Sequence, residues 1–129
     1  NISFSGTQTN SSVVDIVLIR RTTDNTGGTR VALTVVKRDS NDSESTAQIF
    51  SYTANPSALG TVVGNIKAVA ALLPNKNSAG ATATGLFDFN DGTLKPLILN
   101  NDNEYISVNL NGSSVAGSAL DICVEWTEE

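Results

Sequence analysis

The acidic side chains are the residues of this sequence whose chemistry and spacing we considered first, because paired carboxylates can hydrolyse glycosides as general acid and base. Asp121 and Glu125 fall on one face of an alternating segment. Four residues at the rise of a β-strand separate them by about 13 Å, too far for a catalytic pair on one strand. Asp88 and Asp91 could meet across a turn, but aromatic side chains that would stack on a sugar make up only 5% of the sequence. We therefore predict no catalytic site and no small-molecule substrate.

Calcium binding is a second chemistry open to these acids, since calcium takes about six to eight oxygen ligands. Two loops are rich in such oxygens: Asp39, Asn41, Asp42 and Glu44 in one, and Asn90 with Asp91 in the other. Neither loop matches the EF-hand pattern, and acidic loops between strands are commonly solvated turns. We therefore expect no metal and no cofactor, and the alternative is a weak calcium site between Asp39 and Glu44.

Histidine is absent from the sequence, which excludes Ser-His-Asp and Cys-His catalysis and removes the commonest zinc ligand. Cys123 is the single cysteine, so no disulfide can form within these 129 residues. It alternates onto the face opposite Trp126. Without a histidine to activate it, we expect Cys123 to be a small, half-buried and inert thiol.

The charges argue against two classes of partner. Lys and Arg total 8 against 13 Asp and Glu, a net charge of −5, and such a body is repelled by phosphate backbones. We therefore expect no nucleic-acid partner. The longest apolar run, residues 68–73, is too short to cross a bilayer, so we expect no membrane partner either.

The basic residues gather at the ends of two apolar segments, residues 13–21 and 30–38, which we expect to pair as a hairpin. The five are Arg20, Arg21, Arg30, Lys37 and Arg38. In a hairpin they would cluster, either as a contact patch for an acidic protein surface or, as we prefer, as charges that discourage aggregation at a sheet edge.

Short β-strands must position all of these residues, because apolar and polar residues alternate with a period of two. The segments are 13–21, 30–38, 46–54, 59–73, 86–89, 94–99, 104–110 and 119–127. Turn-forming clusters such as DNTGG at 24–28 separate them. We interpret residues 59–73 as a strand bent at Gly64 rather than as a helix.

About eight short strands without a convincing helix predict an all-β fold, a single antiparallel β-sandwich of jelly-roll type over residues 1–129. Pairing order cannot be read from the pattern, so an immunoglobulin-like topology stays open. Residues 1–12 are expected to form an N-terminal arm or, at residues 2–4, an edge strand. Residues 119–127 have the cleanest alternation, and we expect them to close the sandwich and to bury Trp126 on their apolar face.

Three stretches resemble small virion structural proteins of tailed bacteriophages, including phages of cyanobacteria. They are VLIRRTTDNTGGTRVALTVVKRDSND, YTANPSALGTVVGNI and LILNNDNEYISVNLNGSSVAGSALDICVEWTEE. The similarity covers most of the chain and is strongest over residues 105–129. These are fold-making residues, so no functional residue is carried over from the resemblance.

The resemblance implies a capsid decoration (cement) protein, a jelly-roll-like homotrimer on the exterior of the virion capsid. Its partner would be the major capsid protein, whose neighbouring subunits it would bridge against the pressure of packaged DNA. One alternative is a phage tail or head-fibre component, which would expose aromatics such as Tyr52, Tyr105 and Trp126. Another is a secreted carbohydrate-binding or calcium-dependent adhesion module; an enzyme is the remaining hypothesis.

Overall fold

The computed structural model describes residues 1–77, 83–89, 96–113 and 119–128, and these residues form β-strands and no helix. The strands are β1 (Ile2–Thr7), β2 (Ser12–Arg21), β3 (Thr29–Leu33), β4 (Ile49–Ala54), β5 (Val62–Leu73), β6 (Ala83–Phe87), β7 (Tyr105–Asn109) and β8 (Ala119–Val124). Every pair of named strands runs antiparallel. The predicted all-β class is confirmed.

Two three-stranded sheets enclose the core, with strand orders β6-β1-β8 and β5-β2-β7. One hydrophobic cluster joins them: Ile2 and Phe4 of β1, Phe87 of β6, Val14, Ile16 and Leu18 of β2, and Ala71 and Leu73 of β5. Burial of each of the larger side chains stabilises the fold by about 1.5–3 kcal/mol. The arrangement is sandwich-like, and the third sheet, β3-β4, has only two strands.

Strand β2 lies at the centre of its sheet, between β5 and β7. It pairs along its whole length with β5, from Ser12 opposite Leu73 to Arg21 opposite Val62. The predicted hairpin between residues 13–21 and 30–38 is therefore wrong, because β3 pairs with β4 instead. A strand as densely apolar as β2 needs a neighbour on each edge and a covered face, which the short and wholly exposed β3 could not supply.

Strand β5 confirms the interpretation of residues 59–73 as strand rather than helix. Its ladder with β2 has register shifts between Leu18 and Ile19 and between Arg20 and Arg21. Gly64, which pairs with Arg20, lies between these two shifts, so the irregularity expected at this glycine is present.

The N-terminal segment is not an arm, and the prediction for residues 1–12 is wrong over Ile2–Thr7. These residues form β1, the central strand of its sheet rather than an edge. The physical reason is that Ile2 and Phe4 are both buried in the core. Gln8 continues the attachment, donating its backbone N–H to Pro74 O at 2.9 Å.

The C-terminal strand ends earlier than its sequence alternation suggested. β8 stops at Val124 and forms an edge of its sheet, and although Leu120 and Val124 pack on the core, Ile122 remains 44% exposed. Trp126 lies beyond the strand and is half-buried rather than buried. Cys123 is exposed, not half-buried as expected.

Two further strands are shorter than predicted, and one is absent from the residues that can be described. Segment 30–38 is strand only to Leu33, and segment 46–54 only from Ile49. Of the predicted strand 94–99, residues 96–99 are not strand, and residues 94 and 95 lie outside the described ranges. The turn expected at residues 90–92 also lies outside them.

Candidate functional site

The two-stranded sheet of β3 and β4, which we call the ribbon, is the most exposed of the three sheets. All five residues of β3 are exposed, and among the described residues neither ribbon strand pairs with a third. A two-stranded ribbon is at best marginally stable in water unless something packs against it. The ribbon therefore needs contacts beyond its own ladder.

One face of the ribbon has such contacts within the chain. The Arg30 guanidinium lies 4.1 Å from the centre of the Phe50 ring and forms an ion pair with Asp24. Tyr52 donates its hydroxyl to Asn25 O at 3.4 Å. The turn that carries Asp24 and Asn25 is thereby fixed to this face.

The opposite face of the ribbon is mainly apolar and largely exposed. Val31 pairs with Ser51 and Leu33 pairs with Ile49, which places these four side chains on one side of the sheet. Val31 and Leu33 are each 49% exposed, and none of the four is charged. This apolar face, together with the free strand edges, can bind another protein by hydrophobic contact and by added strand pairing.

A second apolar strip lies on the outer side of the β5-β2-β7 sheet. Val13 and Leu72 pair across β2 and β5, and each is 59% exposed. Their chain neighbours Val14 and Ala71 point into the core. The strip is therefore separate from the core and faces solvent.

The acidic loop predicted as an alternative calcium site is occupied by a cationic side chain, that of Lys37. The Lys37 ammonium donates to the backbone carbonyls of Ser40 at 3.5 Å and Asp42 at 3.0 Å, and lies 2.9 Å from a Glu44 carboxylate oxygen. Asp39 instead accepts from the Asn41 backbone and side chain. The lysine thus neutralises the loop oxygens that a calcium ion would need.

The carboxylates considered for catalysis are not brought together in the described residues. Asp121 lies on β8 and Glu125 beyond the strand's end, where it pairs with Arg38. Asp88 is described, whereas Asp91 and Asn90 lie outside the described ranges, so their predicted meeting is untested. Across the described ranges, no group of three or more Cys, Asp or Glu residues is placed to hold a metal ion.

The basic residues do not form the expected cluster, because the hairpin that would have gathered them does not form. Each has its own partners: Arg20 pairs with Glu104 at 2.5 Å, Arg21 donates to Gly60 O and to Ser107, Arg30 pairs with Asp24, Lys37 with Glu44, and Arg38 with Glu125. The contact patch considered for an acidic protein is therefore not assembled. Arg21 is only 2% exposed and acts within the fold.

A carboxylate site that the sequence did not predict lies where residues 45–47 meet Glu128. One carboxylate oxygen, Oε1, accepts from the Ser45 hydroxyl, from Ala47 N at 3.1 Å and from Trp126 Nε1 at 2.9 Å. The other oxygen accepts from Thr46 N at 2.8 Å and Thr46 Oγ1 at 2.9 Å. These donors hold the pKa of Glu128 far below its ordinary value, the Ser45 hydroxyl contributing most.

The exposed thiol lies beside an open depression of about 460 Å³ on the β6-β1-β8 sheet. Its lining includes Ser3, Ser5, Asp121 and Cys123. No histidine exists in the chain to activate the thiol, so the depression offers a surface for contact rather than a nucleophile.

Aromatic side chains are not displayed as a stacking surface. Tyr52, Tyr105 and Trp126 are each half-buried. Tyr52 is bonded to the turn beneath the ribbon, and the Trp126 indole donates to Glu128. A sugar-binding face would need these rings open to solvent.

The described residues contain no helix long and apolar enough to cross a membrane. Comparison with models of protein families, with curated protein sequences and with solved structures finds no match to this chain.

Proposed function

We propose that this chain is a capsid decoration protein of a tailed bacteriophage. In this proposal it forms a jelly-roll-like homotrimer on the outside of the head and stabilises the lattice of the major capsid protein. The proposal assigns it a binding and structural role with no catalysis. The sequence resemblance to small virion proteins is the reason for proposing the major capsid protein as the partner.

The observation that carries the proposal is the distribution of hydrophobic side chains. Among the described residues, nine hydrophobic side chains are buried, whereas eleven large ones are exposed. On a monomer such residues are usually scattered singly. Here Val31 and Leu33 lie side by side on one face of the ribbon, and Val13 and Leu72 pair across β2 and β5. Surfaces of this kind favour a chain that is covered by protein partners in its working state.

The energetics fit many weak contacts better than one strong contact. Complete burial of a Val or Leu side chain is worth about 1.5–3 kcal/mol, so covering the half-exposed Val31 and Leu33 contributes roughly 1 kcal/mol each. That is too little for a tight single contact after the entropic cost of association. A trimer seated on a repeating lattice presents the same patch three times and gains affinity by avidity.

The two binding alternatives find less support. A fibre or glycan-binding module needs open aromatic faces, and the described tyrosines and tryptophan are half-buried. A calcium-built adhesion module needs free loop oxygens, and the Lys37 ammonium lies among those of the 39–44 loop.

The test is made on virions of the phage that encodes the chain, compared with virions from which the gene has been deleted. We expect mass spectrometry of purified particles to find the chain in fixed ratio to the major capsid protein. We also expect the deleted virions to release DNA at lower temperature or under milder osmotic shock, and added purified chain to restore their resistance. Intact virions that contain none of the chain would refute the proposal, as would deletion without any loss of capsid stability.

A further inference from the structure

The contacts of Glu128 have the geometry of a receptor for a carboxylate. Five donors converge on its two oxygens, and two of them are the backbone N–H groups of consecutive residues, Thr46 and Ala47. Successive amides that point at one site form an anion-binding concavity. The hydroxyls of Ser45 and Thr46 complete the receptor, and the fifth donor, the Trp126 indole, belongs to the ligand's own segment. Every donor suits an anionic oxygen acceptor.

The segment that delivers the carboxylate, residues 125–128, has few other ties to the fold. Glu125 forms an ion pair with Arg38, but both side chains are exposed, at 45% and 84%. Glu125 also exchanges backbone hydrogen bonds with Asn1. Within the described part of the chain, no aromatic or cationic group stacks on the Trp126 ring. The Glu128 carboxylate is therefore the main anchor of this segment, and it is held by polar contacts open to solvent.

The receptor lies next to the surface on which the proposed function rests. Ala47 precedes Ile49 by two residues, and Ile49 is the first residue of β4 and part of the apolar face of the ribbon. A second copy covering that face would lie beside this loop, where its own segment 125–128 could enter the receptor. Each copy would then offer one receptor and one ligand.

We propose that residues 45–47 form a binding site for a Trp-X-Glu segment, occupied by the chain's own Glu128 in the free chain and by Glu128 of a neighbouring copy in the assembly. The second half of the proposal rests on the self-association proposed above. In a ring of three copies this head-to-tail exchange closes on itself and keeps every hydrogen bond of the site. The exchange therefore links the copies without loss of the local contacts.

The carboxylate is what the site selects. An amide in its place keeps one acceptor oxygen but turns an NH₂ donor toward the N–H and O–H donors of Thr46 or Ala47. Loss of the charge-assisted bonds and this donor–donor contact should weaken binding at least about tenfold. Glu125→Gln is the matched control, because it removes a carboxylate of the same segment that does not touch the receptor.

The first experiment follows the amide resonances of Thr46 and Ala47 by two-dimensional NMR. We expect both to shift in Glu128→Gln and to stay in place in Glu125→Gln. Adding the peptide VEWTE, residues 124–128, to the Glu128→Gln chain should return them toward their original positions. The same peptide with the Glu128→Gln change should need at least about ten times the concentration. Amide resonances of Thr46 and Ala47 that do not shift in Glu128→Gln, or equal affinities of the two peptides, would overturn the proposed binding site.

The second experiment separates the receptor from the exchange between copies. Light scattering should show that Glu128→Gln lowers the mass of the assembly at a concentration where the Glu125→Gln chain keeps it. An unchanged mass for Glu128→Gln overturns the exchange. A monomeric parent chain also overturns it and contradicts the proposed self-association, whereas the peptide titration decides the receptor in either case.

Discussion

Replacing Gly85 with alanine should destabilise the fold, because this glycine lies directly beneath the Phe4 ring. Gly85 pairs with Phe4 across β6 and β1, and Phe4 is only 3% exposed. A Cβ atom at position 85 would meet three carbons of the ring, of which the farthest, Cε1, would lie 2.5 Å away. Carbon atoms pack at about 3.5–4.0 Å, so the ring would have to move by roughly 1 Å or more.

The ring has little room for such a movement, since it is buried and contacts the Phe87 ring, with ring centres 6.0 Å apart. Overpacking of this kind costs about 1–3 kcal/mol in the free energy of unfolding. For a domain of this size that corresponds to a fall in Tm of roughly 3–15 °C. Urea and thermal unfolding followed by circular dichroism measure both quantities.

Gly64→Ala is the matched control, because no heavy atom lies within 4 Å of the Cβ it would add. Gly64 is also a strand residue with ordinary negative φ, so the change should be neutral or stabilise the fold by up to about 1 kcal/mol. Adding Phe4→Leu to Gly85→Ala should recover part of the loss, with a coupling free energy above about 0.5 kcal/mol. Equal stability of the Gly85→Ala and Gly64→Ala chains would refute the packing of β1 against β6.

Three further changes test the core, the ribbon and the ion pairs. Leu18→Ala should lower the free energy of unfolding, measured by urea titration, by about 2–5 kcal/mol, because Leu18 is fully buried. Val63→Ala, at a site 60% exposed, should lower it by no more than about 0.5 kcal/mol. Equal losses would contradict the placement of Leu18 in the core. Leu33→Glu should lower the assembled mass in light scattering while Val36→Glu, at a site 83% exposed outside the ribbon, should not; an unchanged mass for both would exclude the apolar face as the interface. Hydrogen bonds from the Asn100 backbone and the Arg20 side chain lower the pKa of Glu104, so the ionised carboxylate stabilises the fold above pH 4.5, and this stabilisation is lost as pH falls through the folded pKa. Glu104→Gln should therefore flatten the dependence of the free energy of unfolding on acid pH. An unchanged slope would contradict the pairing of Glu104 with Arg20.

Strand positions could be predicted from the sequence because alternation is a local property. Residues 13–21, 59–73 and 104–110 are strand within a few residues of the predicted limits. Each carries its own apolar face, and no knowledge of its neighbours is needed to see it. The same locality explains why Trp126 was misplaced, since alternation continues through it although the ladder ends at Val124.

Strand pairing could not be predicted, because alternation gives a strand its faces but not its neighbours. Sequence proximity favoured a hairpin of β2 with β3, but β2 pairs with β5 and β7, whose residues lie some fifty and ninety positions away. Segment length did not indicate the pairing either, because residues 13–21 and 30–38 are equally long, and the similar lengths of β2 and β5, ten and twelve residues, are known only from the structure. Residues Ile2–Thr7 form a central strand because the Ile2 and Phe4 side chains are buried in the core. This could not be predicted, since a short apolar patch in a sequence is equally compatible with a central strand and with an arm.

The carboxylate site left no pattern in the sequence. Two of its donors are backbone N–H groups, which every residue except proline has, and the ligand Glu128 is some eighty positions away. The exposed face of the ribbon is a different case. The alternation over residues 30–38 did show an apolar face at Val31 and Leu33, but not whether the chain itself or a partner covers it.

The most direct test of the central claim is the mass of the purified chain in solution, measured by light scattering over a range of concentrations after size-exclusion chromatography. Self-association through the exposed apolar surfaces predicts a particle of three times the 13.5 kDa chain mass that dissociates only on dilution. A particle of single-chain mass at every concentration would contradict it.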